Sequence, residues 1–199
     1  MNYIKRFWAF LKEDSWPSMT VSLILLVLII KLMFFPLLSL LTSSPLPLVV
    51  IESCSLYHET DFDNWWESNS AWYESHEITK SDFSSYPYKN GLNKGDIIFV
   101  WGRADYKLGD IIIFQTPGST AKHPIIHRIV SENPVGTKGD HNAGQLTESS
   151  IGNTNNIDET NIPRENIIGK AALRIPLLGW IKLLFFEPFR EPNERGLCR

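Results

Sequence analysis

Between Met19 and Leu41 the chain runs MTVSLILLVLIIKLMFFPLLSLL, 23 residues that carry one charge, Lys31. Coiled as a helix, this segment rises about 34 Å, enough to cross a hydrocarbon core of ~30 Å. It is too long to serve as the buried core helix of a domain this size. It also exceeds the ~7–15 apolar residues of a cleaved leader, and SSPLP stands where a small-x-small cleavage site would be needed. Lys31 is tolerable because a long side chain can snorkel toward the headgroups. Lys5, Arg6 and Lys12 precede the segment, so the positive-inside rule puts the N-terminus in the cytoplasm and everything after Thr42 outside. The expected layout is a cytoplasmic segment 1–18, a transmembrane signal anchor 19–41 and an extracytoplasmic domain 42–199, in a single-pass protein of the cell membrane.

A chain of 199 residues accommodates one domain beside such an anchor. The formal net charge of −3 gives no basic field, so nucleic acid is not an expected partner. Cys54 and Cys198 are far apart and lack metal-ligand spacing; they indicate neither a disulfide framework nor a cysteine zinc site.

The outer part reads as mainly β. Leu48–Ile51 is a short apolar, β-branched run. Gly95-Asp96 leads into IIFVW and Gly109-Asp110 into IIIF, each a turn followed by a buried strand. Ile125 to Val130 is a further strand with His127 in its middle, Asn133 to Gly136 reads as a turn, and Ile167 to Ile175 returns to the strand pattern. The Ser/Thr/Asn-rich stretch from Gly144 to Asn161, with Gly152, reads as a loop. An insert at about 59–93 stands apart. Its pairs Trp65/Trp66 and Trp72/Tyr73 are seven residues apart, which is one helical face over two turns, so it is expected to be a small helical element that buries its own aromatics. The rival reading is an aromatic surface at the lipid headgroups. The C-terminal run IPLLGWIKLLFF is too short for a second span and suits either the core or the membrane interface.

Chemistry enters with the serines and histidines. A serine hydroxyl attacks only with a base in hydrogen-bond reach, histidine suits that base, and a carboxylate on its far nitrogen fixes the tautomer. Ser53 and Ser55 follow the first strand, His127 lies on a strand and Asp140 lies in a Gly-Asp turn, but spacing alone does not join them. His123 and His127 form an H-x3-H pair, which makes metal ligands on a helix. Pro124 and the β-branched neighbours argue for a strand, and no H-E-x-x-H glutamate accompanies them, so no metal is expected.

The local wording is more specific. VVIESCSLYHETDF resembles the nucleophile box of type I signal peptidases, and NKGDIIFVW and KLGDIIIFQTP resemble the two Gly-Asp strands that follow it in that family. HPIIHRIV is similar to the base-bearing segment of the archaeal and endoplasmic-reticulum branch, where histidine replaces the bacterial lysine. TKGDHN resembles the Gly-Asp-x-Asn box, and NIPRENIIGKAALRIPLLGW resembles the closing strand. The boxes occur in the family's order and cover most of the chain from Val49 to about Lys182.

The resemblance implies a signal-peptidase-like β domain that needs no cofactor, with Ser55 as nucleophile, His127 as general base and Asp140 as its acid partner. It implies cleavage of preprotein signal peptides after small-x-small sites, beside membrane lipid and in the company of secretion machinery. Only 14 positions separate Leu41 from Ser55, so an extended link of at most ~50 Å keeps the nucleophile near the bilayer. The Ser55 amide is the natural oxyanion donor, with the Ser53 hydroxyl as either a second donor or a turn hydrogen-bonder. Three departures stand out. Leu56 replaces methionine, Tyr57-His58 replaces x-Pro, and Leu146 occupies the place of a second aspartate, for which Glu148 and Asp158 are the available substitutes. Cys54 is a rival nucleophile in principle, but its neighbour's register makes it a small filler. The rival function is a non-catalytic, membrane-anchored binding module of the same fold.

Overall fold

The computed structural model describes residues 2–103, 105–150, 153 and 155–198. The chain divides into two units, Met1–Thr42 and Ser43–Arg199.

The first unit is helical. Helix α1 (Tyr3–Leu11) is followed by Ser15, whose hydroxyl accepts the Ser18 amide and caps α2 (Trp16–Ile29). A π turn at Ile30–Phe34 joins α2 to α3 (Phe35–Thr42), giving one helix of 27 residues, Trp16–Thr42, whose most apolar 18-residue stretch has a mean hydropathy of 2.8. The wider turn has a local cause. Pro36 has no amide to donate, and its ring crowds the preceding turn, so Phe35 donates five residues back to Ile30 instead. Among the described residues this is the one helix long and apolar enough to cross a membrane.

The second unit is built on a six-stranded, wholly antiparallel sheet. Its strands are β1 (Leu48–Val50), β2 (Ile97–Trp101), β3 (Ile111–Phe114), β4 (Ile125–Glu132), β5 (Val135–Lys138) and β6 (Ile167–Ile175), in the spatial order β1-β2-β6-β3-β4-β5. The apolar runs explain the order. IIIF of β3 is buried on both faces, as a central strand must be: Ile111 and Ile113 join one core, with Leu56, Ile98 and Val100, while Ile112 and Phe114 join another, with Ile129 and Ile162. The turn expected at Asn133–Gly136 is tighter than that, because β4 continues to Glu132 and β5 already begins at Val135. As an edge strand with the sequence VGTK, β5 lacks the apolar run that marks a buried strand.

The unit mixes helices with its antiparallel sheet: the insert is helical, as its aromatic spacing predicts, and the C-terminal run is helical too, which makes the unit less purely β than expected. Within the insert, Asp61 caps α4 (Phe62–Glu74) by accepting the amides of Asp63 and Asn64, and Thr79 and Asp82 form a reciprocal capping box on α5 (Lys80–Ser84). Phe62, Trp65, Trp66, Tyr73 and Phe83 are buried together against Val130 of β4, so the aromatics form a core of their own. After β6, α6 (Trp180–Phe186) buries Leu183 and leaves Ile181, Leu184 and Phe185 exposed. No helix or strand is found among the described residues of the 144–161 loop; Gly152, placed in that loop by the sequence, lies outside them.

Candidate active site

Strand β1 leads into a turn at Ser53–Leu56, where Ser55 is half-buried and Leu56 is locked into the core. The turn is held by backbone bonds on several sides. Tyr57 N–H donates to Cys54 O (3.0 Å), His141 N–H to Ser55 O (2.9 Å) and Leu92 N–H to Leu56 O (2.8 Å). The Ser55 hydroxyl lies 3.1 Å from that of Ser53, and the Ser55 amide has no hydrogen-bond partner among the described residues. That amide is therefore available as a donor to an oxyanion, while the Ser53 hydroxyl engages that of Ser55.

His127, on β4 opposite Ile112, is almost fully buried. Its Nδ1–H donates to Glu159 Oε1 in a very short contact. The same Oε1 accepts the Thr137 hydroxyl at 3.0 Å, and Oε2 accepts the Leu146 amide at 2.7 Å. Glu159 is completely buried, and each of its oxygens is satisfied. A carboxylate only accepts, so this arrangement puts the proton on Nδ1 and leaves Nε2 as the basic nitrogen. No hydrogen bond to Nε2 is found among the described residues. A Cβ placed on Gly139 would sit 2.9 Å from Nε2 and 2.8 Å from Ser55 O, so glycine keeps the space between His127 and the Ser55 segment open. The structure thus brings Ser55 and His127 to one place.

Asp140 lies elsewhere. It is fully buried; its Oδ2 accepts Arg128 NH2 at 2.7 Å and His58 Nε2 at 3.0 Å, while Arg128 Nε bonds Oδ1 at 2.9 Å. The reason is strand parity. Successive residues face opposite sides of the sheet, and Arg128 pairs with Lys138 across β4 and β5, so Lys138 and Asp140 share Arg128's face while Thr137 and Gly139 share His127's. Asp140 serves the buried guanidinium, and the carboxylate on the histidine is Glu159. Leu146 still takes part, through its backbone, at the position where the second aspartate was missing. Glu148 and Asp158, the acids that the sequence offers in its place, are not on His127; the neighbour of Asp158, Glu159, is.

Two further residues, His58 and Cys54, have partners that the sequence does not reveal. His58 stacks on Trp65 with ring centroids 3.7 Å apart and an interplanar angle of 3°, which ties the aromatic insert to Asp140. The second correction concerns Cys54, which is not a filler or a free thiol: it is disulfide-bonded to Cys198, with Cα atoms 5.6 Å apart, and so cannot attack a substrate. The pairing joins residues 144 positions apart, and nothing in their spacing announces it.

No protein-family model matches the chain. Curated relatives do. It is 30% identical over 105 residues to a signal peptidase complex catalytic subunit of Pyricularia oryzae, covering 48% of this chain and 57% of that protein. The corresponding subunit of Sclerotinia sclerotiorum is 31% identical over 105 residues with the same coverage, and that of Komagataella phaffii 27% over 108 residues, 60% of its length. The chain is homologous to signal peptidase catalytic subunits. It spans a little over half the length of the signal peptidase subunits it matches.

Gly139→Ala is expected to push its new methyl into Asn142 Nδ2, Ser55 O and His127 Nε2, all within 3 Å. Displacement of catalytic groups by even ~1 Å costs up to about 100-fold in rate, so any turnover that depends on His127 Nε2 and the Ser55 segment should fall by about ten- to a hundredfold. Steady-state kinetics beside a melting curve checks this.

The buried charges also set a pH dependence. Burial alone would raise the Asp140 carboxyl, but Arg128 and then His58 outweigh it and hold it well below the usual carboxylate range. Stability from Asp140 is therefore fully present above the ordinary value of ~3.9 and is lost as pH falls below it. Lys138 donates to Gly139 O (3.1 Å) and Tyr73 Oη (3.3 Å), yet burial pulls its ammonium down to about 8 against the opposing pull of Asp140 and Glu159. The unfolded chain then binds more protons than the folded one above that pH. Stability relative to a Lys138→Met variant should accordingly rise between pH 8 and about 10, by at most ~1.4 kcal/mol per pH unit. Chemical denaturation across that window measures it.

Proposed function

We propose that this chain is a membrane-anchored serine endopeptidase that removes N-terminal signal peptides from exported preproteins after small-x-small sites. The observation that carries the reading is the buried Glu159–His127 pair, whose free Nε2 faces the segment bearing Ser55. Its support from outside the chain is the homology to subunits named as catalytic. In the proposed mechanism, Nε2 takes the Ser55 proton as the hydroxyl attacks the scissile carbonyl, and Glu159 stabilises the imidazolium that forms. The Ser55 amide donates to the developing oxyanion, and His127 then protonates the leaving amine. An acyl-enzyme on Ser55 is released by water, activated at the same nitrogen. The apolar helix Trp16–Thr42 anchors the enzyme, with its N-terminus cytoplasmic and the sheet unit on the side where cleavage sites emerge. No metal or cofactor enters any step.

The test is to incubate the oxidised full chain, in liposomes, with a preprotein and to sequence the new N-terminus. The expected product begins immediately after small residues at −1 and −3. Failure to cut precursors that another signal peptidase cuts would overturn the reading in favour of a non-catalytic binding module.

A further inference from the structure

The C-terminal segment Glu187–Cys198 folds back onto the nucleophile turn. It contains two short 3-10 turns and, among the described residues, pairs with no strand; its apolar residues Phe189 and Leu197 are exposed. With no ladder and little apolar burial, it depends on point attachments. Arg190 NH1 donates to Glu52 O at 3.0 Å, and its guanidinium also pairs with the Glu52 carboxylate. Glu187 accepts Lys94 Nζ at 3.0 Å and the Gly196 amide at 2.7 Å, while Lys94 Nζ reaches Glu194 O at 2.6 Å. The last attachment is covalent and joins Cys198 to Cys54, the residue immediately before Ser55. Between the strap and the turn lies an open cleft of about 570 Å³, lined by Glu52 and Ser53 on one side and by Arg190, Arg195 and Leu197 on the other. Its volume falls within the range of ligand sites, ~300–1,000 Å³. No carboxylate pairs with Arg195 among the described residues; its Nε donates to Arg190 O.

We infer that this strap is a positioning element of the active site, fastened by Cys54–Cys198, which holds the Ser53–Leu56 turn in its reactive geometry and walls a polar subsite for the substrate chain next to the scissile bond. The role rests on the signal-peptidase reading. Ser55 is held at Ser55 O and Leu56 O by the body of the domain, and at Cys54 by the strap; losing the strap frees one side of the turn. Glu52 would then lose its Arg190 cation, and the wall carrying Arg195 would leave the cleft.

The bond can be opened in the folded protein. A small dithiol reduces it by two electrons, the Sγ–Sγ bond becomes two thiols, and the dithiol ends as its own cyclic disulfide. The chain has two cysteines, so the reagent has one target. In detergent, well below the melting temperature, reduction of the full-length wild type should lower kcat on a preprotein by about ten- to a hundredfold. Reoxidation should restore it. The Cys54→Ser/Cys198→Ser double variant should show the low rate and ignore the dithiol. A bond that only stabilises the fold would lower the melting temperature and leave kcat unchanged, and that result overturns the proposal.

A second readout does not need catalysis. Reduction should speed hydrogen exchange at the amides of Tyr57, Leu92 and His141, whose acceptors are the carbonyls of Cys54, Leu56 and Ser55. Unchanged protection there would equally overturn the strap. If the oxidised wild type cuts no precursor, the peptidase reading fails on its own, and the exchange result alone decides whether the strap holds the turn.

Discussion

Replacing Ser55 with alanine is expected to lower preprotein cleavage by about six orders of magnitude, to the background of the assay, while the protein melts at the same temperature as wild type. The hydroxyl's hydrogen-bond partner is Ser53, itself exposed, so removing it leaves no buried polar group unpaired and opens no core cavity. His127→Ala should fall to a similar level, because a serine without its base is a weak nucleophile. The double variant should lose no more than either single one, since the two groups act as a unit and not as independent contributors. Initial rates for the three variants, each beside a melting curve, check both the loss and its non-additivity.

The second large effect separates two buried carboxylates that a sequence can easily confuse. Glu159→Gln keeps the size of the side chain but gives it an amide, which can donate as well as accept. The amide nitrogen would face either the Nδ1 proton or the Leu146 amide, and flipping to accept from His127 puts a donor against Leu146. The imidazole then loses its tautomer control and its stabilising charge, which costs about three to four orders of magnitude in kcat. Asp140→Asn acts on the other face. It removes the counter-charge of Arg128, which is fully buried, and an uncompensated buried charge costs about 3–5 kcal/mol. The first change should cost about 1–3 kcal/mol of stability but strike rate far harder, and the second should strike stability with kcat of the folded fraction kept within about tenfold.

How much of this was legible beforehand depended on periodicity and range. The strands were readable because IIFVW, IIIF and Ile167–Ile175 are apolar runs, and the insert because its aromatics repeat at helical spacing. Strand β5 was not, because an edge strand made of Val, Gly, Thr and Lys carries no apolar signature. Ser55 and His127 stand in distinctive local wording, and the structure brings them together around Gly139.

The carboxylate was harder. Asp140 sits in a recognisable Gly-Asp turn, whereas Glu159 sits in a Ser/Thr/Asn-rich loop whose path the sequence does not reveal. If His127 and Arg128 face opposite ways, then Gly139 and Asp140 do too, and the aspartate belongs with the arginine. His58 and the Cys54–Cys198 bond are different again. Each joins parts of the chain far apart in sequence, and only the fold brings them together.

The proposed base is His127, oriented by Glu159 and not by Asp140. The most direct test is the cleavage rate of one preprotein by the oxidised wild type, Glu159→Gln and Asp140→Asn, each normalised to folded protein. Loss of about a thousandfold or more is expected for Glu159→Gln, and a near-normal rate per folded molecule for Asp140→Asn. A normal rate for Glu159→Gln, with the loss falling on folded Asp140→Asn instead, would contradict this assignment.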